Sequence, residues 1–122
     1  MTELKWARRL YYDKNFGHRE SMWARCKEAN TLYTHEWQML VKMNDAEILD
    51  EALQNQILMD RFVRHLERLD EVYGGTYGGL IFQKTIDQLI DLAIESKSHE
   101  CYILLVEYKR KHNLYQANPF EL

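Results

Sequence analysis

The sequence predicts an all-α protein, and three observations carry that expectation. Apolar residues recur at i, i+3 or i+4, and i+7 along nearly the whole chain, the spacing of one face of an α-helix. Five glycines and one proline in 122 residues are too few for a loop-rich sandwich or a collagen-like chain. Only Leu80-Ile81-Phe82 offers anything extended, and so short a run beside glycine fits a packed loop as well as a strand. A chain of this length is about one domain, so residues 1–122 are read as a single helical unit.

The elements follow in order. Leu4, Ala7 and Tyr11, with Trp6 and Leu10 beside them, mark a first amphipathic helix that Gly17 interrupts. A second runs from about Arg19 to Asn30. Thr34 is placed to cap a third, with Trp37, Leu40 and Val41 on one face, and Asn44 with Glu47 three residues later resembles the capping box of a fourth. Leu58, Phe62, Leu66, Leu69 and Tyr73 line a long fifth helix. Ile86, Leu89, Ile90, Ala93 and Ile94 define a sixth, and Cys101, Leu104, Leu105, Tyr108 and His112 a seventh. The expectation is about seven short helices. The segment Gly74-Gly75-Thr76-Tyr77-Gly78-Gly79 has four glycines in six residues, which predicts a turn or hinge separating two helical groups. No Lys-Ser/Thr follows it and no strong strand precedes it, so a phosphate-cradling loop is a poor fit.

Composition bounds the function. Hydrophobic residues at 46% and charged residues at 29% argue against whole-chain disorder. The longest apolar run, Cys101 to Val106, has six residues where a membrane span needs about 20, and nothing near the amino terminus resembles a signal peptide. A soluble, cytoplasmic protein with no membrane partner is expected, and Cys26 and Cys101 are expected to remain thiols. A net charge of −3 predicts no strong general attraction to nucleic acid.

Catalytic patterns are thin. His18, His35, His65, His99 and His112 do not group with cysteines or acids at metal-ligand spacing. His35-Glu36 begins like a zincin helix, but Met39 stands where the second histidine belongs. His65-Leu66-Glu67 begins like a zinc-deaminase signature with no Pro-Cys-x-x-Cys to follow. Cys101 lies on the apolar stripe of the last helix and reads as core. Cys26, between Arg25 and Lys27, would have a lowered pKa if exposed. No metal, cofactor or enzymatic activity is expected.

Two features point toward binding. Ile48-Leu49-Asp50-Glu51-Ala52-Leu53 recurs 41 residues later as Leu89-Ile90-Asp91-Leu92-Ala93-Ile94, each copy followed by a break and a further apolar helix. Helical repeat proteins have this pattern, although any two amphipathic helices share as much. In the second copy, Leu92-Ala93-Ile94-Glu95, then Glu100-Cys101-Tyr102 and Leu104-Leu105, resembles the helix–turn–helix part of an ankyrin repeat. The ending Tyr108-Lys109-Arg110-Lys111 and Asn118-Pro119-Phe120-Glu121-Leu122 resembles the close of small ankyrin-like proteins from Gram-positive bacteria and their mobile elements. The resemblance covers about 35 carboxyl-terminal residues. The Thr-Pro-Leu-His opening is absent, and Lys97-Ser98 replaces the Gly-His turn. It implies ankyrin-like helical hairpins in the carboxyl-terminal half and an interaction role.

The second feature is charge. Residues 44–73 carry eight acids against three arginines. Asp60, Glu67, Asp70 and Glu71 are the candidate protein-binding residues, and Arg61, Arg64 and Arg68 stand close enough to neutralise part of that face. The expected partner is a protein with a basic surface, such as a nucleic-acid-binding enzyme. One concrete form is a phage or mobile-element inhibitor of a host nuclease, acting as anti-CRISPR proteins do. The alternative is direct nucleic-acid binding, in which Trp6, Tyr11, Tyr12 and Phe16 alternate with Lys5, Arg8, Arg9, Lys14 and Arg19, and Arg8, Arg9 and Tyr12 make the contacts. On the sequence alone, limited proteolysis should cut at or near Tyr77 before it cuts within 86–112. First cuts inside 86–112 would contradict a packed carboxyl-terminal helical unit.

Overall fold

The computed structural model describes residues 19–75 and 80–112, and these fold as six α-helices with no strand. They are α1 (Arg19–Ala29), α2 (Thr34–Lys42), α3 (Ala46–Gln54), α4 (Gln56–Val72), α5 (Ile81–Glu95) and α6 (His99–Lys111). The helix expected around Leu4–Tyr11 lies outside the described residues. Leu80-Ile81-Phe82 is not extended: Leu80 is the N-cap of α5 and Ile81 and Phe82 form its first turn. None of these helices is long and apolar enough to cross a membrane.

Helices α2 and α3 form one hairpin, α5 and α6 another, and the second packs on the first so that α2 meets α5 and α3 meets α6. Helix α4 follows α3 after Asn55 alone and packs against α3 and α5. A single apolar core includes Leu40, Val41, Leu49 and Leu58 from before the glycine segment and Ile86, Ala93, Cys101 and Leu105 from after it. Aromatic rings thread through it. Trp37 lies 5.3 Å from Phe62, Phe62 6.3 Å from Phe82, and Phe82 6.4 Å from Tyr108, the last two edge to face. Helix α1 is fixed to the outside of α3 by Trp23, whose Nε1 donates to Glu51 Oε2 at 2.7 Å.

The two hairpins turn in the same way. The amide of Asp45 donates to Leu40 O and that of Ser98 to Ala93 O, both at 2.8 Å, across a residue in the left-handed region, Asn44 at φ 51° and Lys97 at φ 58°. This is the Schellman closure of a helix C-terminus. Helix α4 ends likewise, with Gly75 donating to Asp70 O at 2.7 Å and Gly74 and Gly75 at φ 90° and 67°. The corresponding units are therefore α2–α3 and α5–α6. The match at 41 residues instead pairs Ile48–Leu53, in a second helix, with Leu89–Ile94, in a first one.

The caps differ from the sequence expectation by one residue. The helix over Thr34–Lys42 is capped by Tyr33, with Glu36 Oε1 accepting from its amide at 2.9 Å, and Thr34 is already helical. Asp45, fully buried, caps α3 and accepts from Ile48 N at 3.4 Å. The Asn44 side chain is thereby released to reach the other hairpin. Its Oδ1 accepts from Cys101 N at 3.2 Å and its Nδ2 donates to Glu100, so that it caps α6 from a distance. Ser98, the N-cap of α6, does not cap its own helix but donates its hydroxyl to Val41 O.

Asn44→Gly keeps the backbone conformation and loses the cap, at about 1 kcal/mol. Asn44→Ala also places a Cβ in the left-handed region and should cost about 2 kcal/mol or more. Urea denaturation of both variants checks this order, and equal costs would contradict it.

Candidate functional site

Helix α4 is the longest helix described, and its sequence divides its circumference into three. At 3.6 residues per turn, Leu58, Met59, Phe62 and Leu66 share one side, and all four are buried. Asp60, Glu67 and Glu71 fall within an arc of roughly 40° on the outer side, and all three are exposed. Arg61, Arg64, His65 and Arg68 occupy the next arc of roughly 100°, and are exposed as well.

Of the expected protein-binding residues, the structure thus brings Asp60, Glu67 and Glu71 together and separates Asp70 from them. Asp70 is 7% exposed and lies on the packed side, because its position on the helix turns it back toward Leu66 and Met59. Leu69, on the same apolar stripe in the sequence, is 37% exposed, and Tyr73, at the end of the stripe, is 76% exposed. Gln56 Nε2 donates to Asp60 Oδ1 at 2.8 Å. Tyr108 of α6 lies close enough to Asp60 to feel its charge; burial first, and that carboxylate second, raise the phenol's pKa above its ordinary value. Arg8, Arg9 and Tyr12 lie outside the described residues.

The arginines do not pair with the acids beside them. Arg61, Arg64 and Arg68 make no ion pair among the described residues, and instead line a groove of about 300 Å³. Its floor is Leu32 and Phe62, its α4 wall is Arg61, Arg64, His65 and Arg68, and its other wall is Thr31 and Tyr33 from the α1–α2 connection. That connection is firmly held. Thr31 N donates to Cys26 O at 3.0 Å, and Trp37 Nε1 donates to Leu32 O at 3.2 Å. Arg61 Nη1 donates to Ala29 O at 2.6 Å, tying α4 to the end of α1. The Tyr33 ring is half exposed, parallel to His35 at 6.1 Å and edge-on to His65 at 5.9 Å. The basic spacing i, i+3, i+4, i+7 is visible in the sequence; Tyr33, brought in by a turn, has no such signal.

His35, His65, His99 and His112 are all exposed, and no three His, Cys, Asp or Glu side chains cluster to hold a metal among the described residues. The basic end of α6 has a local partner: Lys109 Nζ pairs with Asp87 Oδ1 of α5 at 2.6 Å. Cys101 is core, as expected. Cys26 does not present an activated thiolate. It is 7% exposed, its thiol donates to Glu36 Oε2 at 3.4 Å, and burial together with that carboxylate pushes its pKa up to about 12. Compared with known proteins, the chain matches no protein family, no curated protein and no solved structure.

The Cys26 environment makes the fold sensitive to alkali. An unfolded thiol ionises near 9.0 and the folded one near 12, so between these values the unfolded chain binds fewer protons. Stability should fall as pH rises through that window, with Tyr108 adding a loss of the same sign. Chemical denaturation at pH 8 and above should show this slope, and it should be shallower in Cys26→Ala. An identical slope in the variant would contradict the assignment to Cys26.

Proposed function

We propose that the chain is a non-catalytic binding protein, its hairpins stacked in the manner of ankyrin-like repeats, and that its acidic stripe docks on a basic protein surface. Its concrete form is an inhibitor from a phage or mobile element that occupies the nucleic-acid groove of a host nuclease in the cytoplasm, as anti-CRISPR proteins do. The support is the placement of Asp60, Glu67 and Glu71 on the exposed side of a 17-residue helix whose opposite side is anchored by Leu58, Phe62 and Leu66. Charges held on a rigid element keep their geometry during encounter, and a stripe of one sign speeds association with a surface of the other. Asp70 takes no part in this surface, because it is buried.

The variant that tests the proposal is Asp60→Lys/Glu67→Lys/Glu71→Lys, with Asp70 kept so that the fold is not disturbed. Capture of the partner from nuclease-treated bacterial lysate should weaken on the order of tenfold or more, with the helical signal and Tm nearly unchanged. Association of the unaltered protein should also slow as salt rises, since exposed charges beyond about 10 Å are screened at ~0.1 M. Undiminished capture by the well-folded variant would remove the stripe as the contact. Capture lost on nuclease treatment would favour nucleic-acid binding through Arg8, Arg9 and Tyr12.

A further inference from the structure

We propose that the groove between α4 and the α1–α2 connection binds a nucleotide, its phosphate on Arg64 and Arg68 and its base against Tyr33. Three independent features converge there. Arg64 and Arg68 are one helical turn apart, about 6 Å along the axis, so two guanidinium forks reach a single phosphate from one side. Neither makes an ion pair among the described residues, so both charges are available to a ligand. Arg61 is different: its hydrogen bond to Ala29 O places it in the wall of the groove and not among the contacts.

The opposite wall supplies a flat partner. The Tyr33 ring is half exposed in the wall opposite the arginines, with His35 parallel to it at 6.1 Å and His65 edge-on to it. Its backbone is fixed through Glu36, so the ring is carried by a rigid turn. A cationic wall facing an aromatic one suits a ligand with a phosphate at one end and a planar ring at the other. A purely carboxylate-bearing peptide would leave the ring unused.

Size and surroundings set the length of the ligand. A cavity of about 300 Å³ is at the small end of ligand pockets, room for one nucleotide unit. Asp60, Glu67 and Glu71 border the arginines on the same helix, and a phosphate backbone continuing around α4 would meet their repulsion. The net charge of −3 likewise opposes loose binding of long polyanions. The nucleotide is therefore either free or the unpaired unit of a single strand whose remainder points away from α4.

Binding of AMP, inorganic phosphate and a single-stranded dT10 oligonucleotide to the full chain, measured by titration at low and moderate salt, tests this. AMP should bind more tightly than inorganic phosphate. Arg64→Glu/Arg68→Glu, with unchanged Tm, should weaken AMP at least about tenfold. Tyr33→Ala should weaken AMP about fivefold while leaving inorganic phosphate unaffected. A preference for AMP over dT10 assigns a free nucleotide, and the reverse preference assigns a strand. AMP binding no tighter than inorganic phosphate, or unaltered in the folded double variant, overturns the proposal. So does tighter binding of a phosphotyrosine peptide than of either nucleotide probe. The acidic stripe is intact in every variant used, so failure here leaves the protein-docking proposal standing.

Discussion

The Asn44 side chain, reaching from the α2–α3 turn to the first turn of α6, is the contact on which the rest of the structure depends. A helix leaves its first amides without internal partners, and burying them unsatisfied costs about 1–3 kcal/mol each. At α6, the hydroxyl of the N-cap Ser98 is turned away to Val41 O, and Asn44 supplies the missing acceptor from the neighbouring hairpin. Each turn thus completes the hydrogen bonding of a helix in the other hairpin: Ser98 serves the end of α2, and Asn44 the start of α6. The stacking of α2 on α5 and of α3 on α6 follows, because both turns are brought to one end of the bundle with their helices in the same direction. Cys101 Sγ, 3.8 Å from Leu40 O, is packed directly beneath this joint.

Helix α4 carries the consequence for function. It sits beside the stacked hairpins with one face in the core, and Phe62 lies between Trp37 of α2 and Phe82 of α5 in the line of rings. That anchoring fixes the rotation of the helix about its own axis. The same rotation turns Asp60, Glu67 and Glu71 to one side and Arg61, Arg64 and Arg68 toward the α1–α2 connection. The arc separating these two surfaces of opposite charge is set by the backbone and not by flexible side chains. Arg61, bonded to Ala29 O, ties α4 to the end of α1 beside the groove.

Much of this is legible in the sequence, and the misses have physical reasons. The spacing of Leu58, Phe62 and Leu66 identifies the buried face of α4, and that of Asp60, Glu67 and Glu71 its acidic stripe; Asp70 is out of phase with the stripe and is accordingly buried. Asn44 satisfies the local rule for an N-cap, but a Schellman closure needs a residue that tolerates positive φ, and Asn meets that need too. Helix α3 is therefore capped one residue later, by Asp45. That the freed side chain caps a helix 57 positions away has no local signature. Arg64 stands four residues after Asp60 and three before Glu67, and Arg68 three before Glu71, spacings that permit ion pairs without requiring them, while Arg61 has no acid at either spacing. The groove that claims them depends on Leu32 and Tyr33, which are placed by a turn between two other helices. Leu80-Ile81-Phe82 is ambiguous by itself because three apolar residues have no measurable period, and the helix is decided by the fifteen residues from Ile81 onward.

If the two hairpins are joined through their turns into one cooperative unit, native-state hydrogen exchange at the amides of Asp45, Ser98 and Cys101 shows it most directly. Asp45 N is bonded within the first turn, Ser98 N within the second, and Cys101 N across the joint to Asn44. With turns that support each other, the three amides exchange with the same opening free energy and the same denaturant dependence, merging with global unfolding. Exchange of Ser98 and Cys101 through an opening that leaves Asp45 protected would show that α5–α6 detaches independently, and would contradict the joint as the keystone of the fold.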